Sequence, residues 1–137
     1  IGSPQMNLVD AEVVGNGSSV TLKLSDTVSI ALPADKSKPI IDGGYVGKTV
    51  VMGIRPEDIG DSEIEIEAHQ DCAFEADVTG YELLGSEVLL YFKVAGTSMT
   101  AKVDSTTPCR YGDDVTVAFD IDKGHIFDKE TEQVISH

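Results

Sequence analysis

The sequence contains no tryptophan, and phenylalanine and tyrosine together make up only 6% of its 137 residues. Since 41% of the residues are nevertheless hydrophobic, we expect a core of mostly aliphatic side chains rather than a disordered acidic chain. No apolar run approaches the roughly 20 residues that a membrane-spanning helix requires. The two cysteines, Cys72 and Cys109, are too few for a disulfide-rich scaffold, and we interpret them as small buried hydrophobic residues.

Basic residues are also scarce. Ten lysines and arginines stand against 24 aspartates and glutamates, which gives a formal net charge of −14. Proteins that bind a phosphate backbone need clustered lysine and arginine, so we expect no nucleic-acid partner. The stretch between Arg55 and Lys93 contains no lysine or arginine. We expect its acidic surface to face solvent or a basic partner.

Hydrophobic and polar residues alternate through most of the chain, which is typical of half-buried β-strands. The strongest alternating run covers residues 88–94, and others begin at residues 20, 28, 50, 74, 99 and 115. The alternation of glutamate with apolar residues at 63–68 predicts a further strand. We expect no helix longer than two turns, and only residues 56–59 are expected to open a short helical turn. The pattern predicts an all-β barrel or sandwich.

The chain also contains an internal repeat. Residues 11–15 resemble residues 76–80, and residues 47–54 resemble residues 112–119, both at an offset of 65. We interpret this as a duplicated β-unit of about 60 residues, with the first unit at about 8–60 and the second at about 72–128. A unit of that size buries too little surface alone. We therefore expect the two units to pack as one body and to exchange strands.

Three short motifs resemble ligand-binding or metal-binding sites, but each lacks a feature that such a site requires. Residues 43–49 resemble a phosphate-binding loop, but the glycine spacing is wrong and a strand pattern follows where a helix is required. Residues 120–124 lack the glycine and glutamate positions of a calcium-binding loop. His69 and Cys72 have no second pair of ligands at zinc-site spacing. We therefore expect no catalytic residue, no metal and no cofactor in this chain.

Four segments, taken in order, resemble a known family. Residues 53–59 read Gly-Ile-Arg-Pro-Glu-Asp-Ile, which is similar to the signature in the C-terminal part of carbohydrate ABC-importer ATPase subunits of the maltose and multiple-sugar type. Residues 1–7 resemble the segment that joins the ATPase domain to that part. Residues 78–85 resemble the family's second β-unit, and residues 119–128 resemble its closing segment. The matches cover nearly the whole chain.

The resemblance implies an OB-like TOBE barrel built from two interlaced β-units. It also implies a role, because in this family the module hangs from the ATPase domain and contacts its copy on a second subunit. The chain would then be a non-catalytic regulatory and dimer-tethering domain of a larger transport ATPase. ATP and magnesium would be bound by an ATPase domain that lies outside this sequence. The implied partners are a second copy, that ATPase domain, the permease subunits and a regulatory protein of sugar metabolism, all at the cytoplasmic side of the membrane.

The residues carried over from the family are signature positions, for which we expect a role in holding the barrel closed. They are Arg55, Pro56, Glu57, Gly85, His125, Phe127 and Asp128. A different class of function stays open, because related TOBE modules bind small oxyanions. The alternative is therefore a module that senses a small ligand, either an oxyanion or a sugar, although a net charge of −14 opposes the capture of an anion.

Overall fold

The alternating segments pair into two antiparallel sheets. A computed structural model of the chain describes residues 5–137, apart from the side chain of Asn16. The resemblance noted for residues 1–4 therefore lies outside the described residues. In residues 5–137 the first sheet has six strands in the order β11-β10-β4-β1-β2-β3. Their bounds are Asn7–Asn16 (β1), Ser19–Lys23 (β2), Ser29–Ala31 (β3), Thr49–Ile54 (β4), His125–Asp128 (β10) and Val134–Ser136 (β11).

The second sheet has five strands in the order β5-β9-β6-β7-β8. Their bounds are Ile59–Gly60 (β5), Ala73–Leu84 (β6), Glu87–Val94 (β7), Thr97–Asp104 (β8) and Asp114–Phe119 (β9). Two short helices lie between strands, and their bounds are Ala34–Asp42 (α1) and Glu63–Ala68 (α2). Single 3-10 turns cover Pro56–Asp58, Gln70–Cys72 and Ile121–Lys123. Neither α-helix in the described part of the chain is long and apolar enough to cross a membrane.

The core between the sheets is mainly aliphatic, as predicted. Its aromatic members are few, and the ring of Phe74 meets the ring of Phe119 edge-on at 5.1 Å between centroids. Both cysteines are buried and free, in keeping with their interpretation as hydrophobic residues. Burial raises the pKa of the Cys72 thiol to about 11, so this side chain stays protonated and unreactive at neutral pH.

The internal repeat is visible in the backbone. The amide of Gly47 donates to the carbonyl of Val13 at 2.8 Å, and the amide of Gly112, 65 residues later, donates to that of Val78 at 2.9 Å. Both glycines have a positive φ, of 87° and 86°, which costs glycine little. Residues 43–49 thus form a turn that leads into β4, as predicted. The division into units at residues 8–60 and 72–128 remains a prediction.

The two halves exchange strands. Strand β10, from the second half, pairs with β4 of the first, and β5, from the first half, pairs with β9 of the second. The two exchanges are equivalent. His125 pairs with Gly53, and Gly60 pairs with Ala118. Positions 60 and 125 lie 65 residues apart, and so do positions 53 and 118. The predicted fold, an OB-like TOBE barrel of two interlaced β-units, is confirmed.

A buried asparagine ties the two sheets together. Asn7, on β1, is 7% exposed. Its Nδ2 donates to the carbonyls of Ile54 at 3.1 Å and Thr100 at 2.9 Å, and its Oδ1 accepts the amide of Thr100 at 2.8 Å. Thr100 lies on β8, the edge strand of the second sheet. The asparagine amide therefore pairs backbone groups that would otherwise lie unpaired on this edge.

The strand predicted at residues 63–68 is wrong, because this segment forms helix α2. The hydroxyl of Ser62 caps the helix by accepting the amide of Glu65 at 3.2 Å, and it donates to the Glu65 carboxylate at 2.7 Å. The N-cap bond to the Glu65 amide stabilises the first turn. Helix α1 was not expected either, since the chain was predicted to have no helix longer than two turns.

Candidate functional site

The pairing of β10 with β4 brings four signature positions to one region of the first sheet. His125 pairs with Gly53 and Phe127 pairs with Val51, while Arg55 directly follows β4. Since alternate residues of a strand point to the same face, His125 and Phe127 share the outer face of this sheet with Val51 and Gly53. Asp128 ends β10.

The outer face of the first sheet carries a shallow apolar groove. Leu8, Val51 and Phe127 line its floor, and its rim is formed by Asp128, Lys129 and Glu132. Leu8 remains 54% exposed. The groove can be this apolar because Gly53 leaves room for its neighbours. A Cβ atom at residue 53 would lie 2.6 Å from Met6 Sδ and 2.8 Å from Phe127 Cε2.

Asp128 organises the rim of the groove. Its Oδ2 accepts the hydroxyl proton of Tyr45 at 2.6 Å, and its Oδ1 accepts the amides of Glu130 and Thr131, each at 2.8 Å. These donors lower the pKa of Asp128 to about 2, since all of them favour the ionised carboxylate. The bonds fix the turn after β10, in which Lys129 forms an ion pair with Asp10 of β1.

A second feature lies beside the groove, and we name it the basic cluster. It consists of Arg55, His125, His137 and Lys36. Arg55 Nη1 is 3.5 Å from His125 Nε2, and the rings of His125 and His137 meet edge-on with centroids 6.2 Å apart. The ammonium of Lys36 donates to the carbonyl of Gly124 at 3.0 Å, directly before His125, and also to the main-chain oxygen of His137.

The other three signature positions do not join this region. Pro56 is buried at the start of the 3-10 turn after Arg55, and that turn packs against β8. Glu57 in the same turn is exposed. Gly85 lies in the turn between β6 and β7, with φ at 62°, a conformation that glycine adopts without strain.

Several residues of the region were not predicted. Leu8 and Met6 join the groove only because β1 pairs with β4. Lys36 lies on α1 and is 5% exposed, and no local pattern distinguishes a buried lysine from an exposed one. In residues 5–137, no group of three or more histidine, cysteine, aspartate or glutamate side chains is arranged to hold a metal ion.

Two family models match the chain. The MalK OB fold domain matches residues 2–59, and the TOBE domain matches residues 52–127, which is more than half of the chain.

Curated relatives align with almost the whole chain. The oligosaccharides import ATP-binding protein MsmX of Bacillus subtilis is 38% identical over 132 residues, which are 96% of this chain and 35% of MsmX. The multiple sugar-binding transport ATP-binding protein MsmK of Streptococcus mutans is 38% identical over 98% of this chain and 35% of its own length. The trehalose/maltose import ATP-binding protein MalK of Thermococcus litoralis is 37% identical over 98% of this chain and 36% of its own length. The chain thus spans about a third of the relatives that it matches.

A solved structure shares the fold. It is that of the cytoplasmic molybdate-binding protein ModG with molybdate bound, with a TM-score of 0.61 over 92% of this chain and 96% of that chain. The sequences are only 10% identical, so the likeness extends to the fold alone.

Proposed function

Because the chain belongs to the TOBE-domain family, with relatives among the ATP-binding subunits of sugar ABC importers, we propose that it is the non-catalytic C-terminal domain that tethers two such subunits. The parent protein would be a transport ATPase, whose separate ATPase domain binds ATP and magnesium. It would act with permease subunits at the cytoplasmic side of the membrane. Pro56, buried in a turn that packs against β8, would help to hold the barrel closed.

The observation that carries this proposal is the uncovered apolar groove on the first sheet. The second sheet offers the internal comparison, because the backbone repeats after 65 residues. There, helix α2 packs against β9, and the carboxylate of Glu65 lies so close to Gly60 that a Cβ atom there would be 1.9 Å from Oε2. The corresponding face of β4 is left to the groove, where Leu8 is 54% exposed. An exposed apolar surface rimmed by polar groups is typical of an interaction site.

The occupant that we propose is a second copy of the same chain. A two-fold interface places the same patch on both partners, so the patch must complement itself. The rim of the groove meets this condition, because it carries a cation, Lys129, and two anions, Asp128 and Glu132, around an apolar floor. Lys129 of one copy can face Glu132 of the other while the two floors pack together.

Such a contact suits a tether. Two ATPase domains that separate after each cycle meet again faster when a second, lasting contact keeps their local concentration high. The contact between the TOBE domains need not depend on the nucleotide. A regulatory protein of sugar metabolism would then act on this domain without touching the nucleotide sites.

Sedimentation velocity of the 137-residue chain over a range of concentrations tests the proposal. We expect the sedimentation coefficient to rise with concentration, and we expect Leu8→Glu to abolish that rise. Leu83→Glu is the matched control, because Leu83 is 58% exposed on strand β6 of the other sheet and the charge change is the same. A chain and a parent subunit that both stay strictly monomeric would contradict the proposal, as would equal losses in the two variants.

The alternative, a module that senses a small oxyanion or a sugar, predicts a different result. Thermal unfolding with molybdate, tungstate, phosphate or maltose would then shift to higher temperature, because a ligand of the native state stabilises it by mass action. The shift would not depend on protein concentration.

A further inference from the structure

Strand β6 has a main-chain edge that no other strand of the described chain occupies. Its first part, residues 73–77, pairs with β9, and the amide of Val78 still donates to the carbonyl of Asp113, just before β9, at 2.8 Å. A bulge between Val78 and Gly80 follows, and bulges commonly mark the point where pairing ends. From residue 79 to residue 84 the strand pairs with β7 alone, and we name this segment the β6 edge.

The β6 edge turns main-chain donors and acceptors outward. The hairpin between β6 and β7 closes at the pair of Leu84 and Glu87, across a turn of two residues, and such a turn ends in a hydrogen-bonded pair. Since bonded and non-bonded pairs alternate along antiparallel strands, Leu83 and Tyr81 point their amides and carbonyls away from β7. Within residues 5–137, no other main-chain group bonds to them on that side. The edge therefore presents unused groups at the spacing that a further strand requires.

The fold does not require this part of β6. In the first half, the equivalent strand β1 ends at Asn16, which corresponds to residue 81 at the offset of 65. Strand β6 continues beyond that point to Leu84. The added segment carries two exposed leucines, since Leu83 is 58% and Leu84 is 44% exposed. Exposed apolar side chains on a segment that closure does not need are typical of an interaction surface.

The two halves also differ in what covers this edge. In the first half, Val46 packs over β1, because a Cβ atom on Gly15 would lie 3.0 Å from Val46 Cγ1. The residue 65 positions later is Tyr111, and its side chain is 76% exposed. Around Gly80, the counterpart of Gly15, the nearest side-chain atoms belong to Tyr91 of the neighbouring strand β7. The same backbone is therefore covered in one half and open in the other.

Carboxylates surround the β6 edge. Asp77 of β6 lies directly opposite Asp114 of β9, and both are exposed together with Asp113. A hydrogen bond with Asp77 and the negative charge of Asp77 raise the pKa of Asp114. At the other end of the edge, the hydroxyl of Tyr91 donates to the carboxylate of Glu82 at 2.8 Å and so holds it on the outer face. An added strand would meet negative charge at both of its ends.

The cations near the β6 edge are already engaged. Nη1 of Arg110 donates to the carbonyls of Thr107 and Cys109 at 2.9 and 2.8 Å, and its guanidinium lies over the ring of Tyr81 at 4.5 Å from the centroid. Lys102 forms an ion pair with Glu87 at 3.4 Å. Neither cation neutralises the carboxylates at the ends of the edge, so the surface complements a basic partner.

We propose that the β6 edge is a docking site for an extended, basic segment of a partner protein, which adds to the sheet as a further strand. Main-chain bonds to Tyr81 and Leu83 supply affinity, and the alternating side chains supply specificity. Apolar residues of the partner lie beside Leu83, and basic residues lie beside Glu82. A second copy of this chain does not suit the site, because it would bring two acidic edges together. The site is separate from the groove and does not depend on the proposed tether.

The test is an NMR titration of the 137-residue chain with a capped peptide in which lysine and valine alternate. A length of about seven residues spans the edge. One matched peptide has glutamate in place of lysine. Two others carry N-methyl groups, one on its valines and one on its lysines, because alternate residues of a strand direct their amides to opposite edges. Each of these two peptides therefore lacks the donors of one edge only.

We expect saturable shifts at the amides of residues 79–84 with the lysine peptide. The glutamate peptide should bind more weakly by about fivefold or more, and added salt should reduce the difference. N-methylation of one set of residues should abolish binding, because the main-chain bonds are lost, and N-methylation of the other set should leave it nearly unchanged. Sensitivity of the valine set shows antiparallel addition, and sensitivity of the lysine set shows parallel addition.

Variants of the chain locate the site. Leu83→Pro removes an outward amide at a position where a free strand edge tolerates proline, and it should weaken binding by about fivefold or more, beyond the effect of Leu83→Ala. Glu82→Gln should weaken binding by about threefold, and it keeps the test available if Leu83→Pro does not fold. Glu12→Gln is the control, because Glu12 is exposed on β1 of the other sheet. Leu8→Glu should leave peptide binding unchanged, which separates this site from the groove.

Three results would overturn the proposal. The first is the absence of saturable shifts at residues 79–84, or shifts that centre on the groove. The second is equal binding of the lysine and glutamate peptides, or equal effects of the two N-methylated peptides. The third is a shift of the same amides with protein concentration in the absence of peptide, which would assign the edge to a second copy.

Discussion

Replacing Asn7 by alanine should loosen the joint between the two sheets. The substitution removes a buried side chain that pairs with backbone groups of both β4 and the edge strand β8. Three hydrogen bonds disappear, at 3.1, 2.9 and 2.8 Å. The amide and carbonyl of Thr100 then lose their partner, and only water that enters the space left by Asn7 can replace it.

The size of the effect follows from these bonds. A typical internal hydrogen bond contributes about 1 kcal/mol net, and a buried group left without a partner costs about 1–3 kcal/mol. Since Thr100 is only partly buried, water can form some of the hydrogen bonds that its amide and carbonyl lose. We therefore expect the free energy of unfolding to fall by about 3 kcal/mol in total. In a chain of this size that loss lowers the midpoint of thermal unfolding by about 10 °C.

Urea titration followed by circular dichroism measures the loss, and hydrogen exchange locates it. The Thr100 amide should exchange much faster in Asn7→Ala, whereas amides in the middle of β6 should change only through the global stability. Glu12→Ala is the control on the same strand, because Glu12 is exposed and should cost less than about 0.5 kcal/mol. A loss below about 1 kcal/mol with unchanged exchange at Thr100 would refute the view that Asn7 joins the sheets.

Two further predictions concern the groove. Gly53→Ala should lower the free energy of unfolding by about 1 kcal/mol, the low end for overpacking, because Met6 can turn away while Phe127 is displaced from the floor of the groove. Urea titration should show the loss of stability, and sedimentation velocity should show weaker association. Unchanged association would contradict the proposed interface. The folded-state pKa of Asp128, about 2 against an ordinary 3.8, means that its contribution to stability is present above about pH 4 and is lost as the pH falls toward 2. Asp128→Asn should therefore lose less stability than the parent chain between pH 5 and 2 in urea titrations, and equal losses would argue against the bonds from Tyr45 and the two amides.

Sequence patterns predicted the sheets well because alternation and turns are local. Residues 88–94 form most of β7, and the 65-residue offset reappears in the hydrogen bonds of Gly47 and Gly112. The error at 63–68 has an equally local cause. Six residues of alternating glutamate and apolar side chains fit either a strand or a short helix. Ser62, followed three residues later by Glu65, is a sequence that favours the start of a helix.

The candidate site was harder to predict, because it depends on contacts between distant residues. Arg55 and His125 are 70 residues apart, and they meet only because β10 crosses to the other half and pairs with β4. The groove has the same origin, since it combines Leu8 of β1 with Phe127 of β10. The repeat predicted that strands would be exchanged, but it did not say which faces the exchange would leave open.

The repeat also shows where the two junctions between the halves differ. Where β10 pairs with β4, the outer face carries Leu8, Val51 and Phe127, and Arg55 lies beside it. The positions 65 residues away from the first two are Ala73 and Thr116, the position corresponding to Phe127 is Ser62, and that of Arg55 is Asp120. The backbone tolerates both sets, so stability alone does not select the apolar and basic set. The apolar groove and the basic cluster both lie where β10 pairs with β4, whereas helix α2 contacts β9 at the equivalent junction.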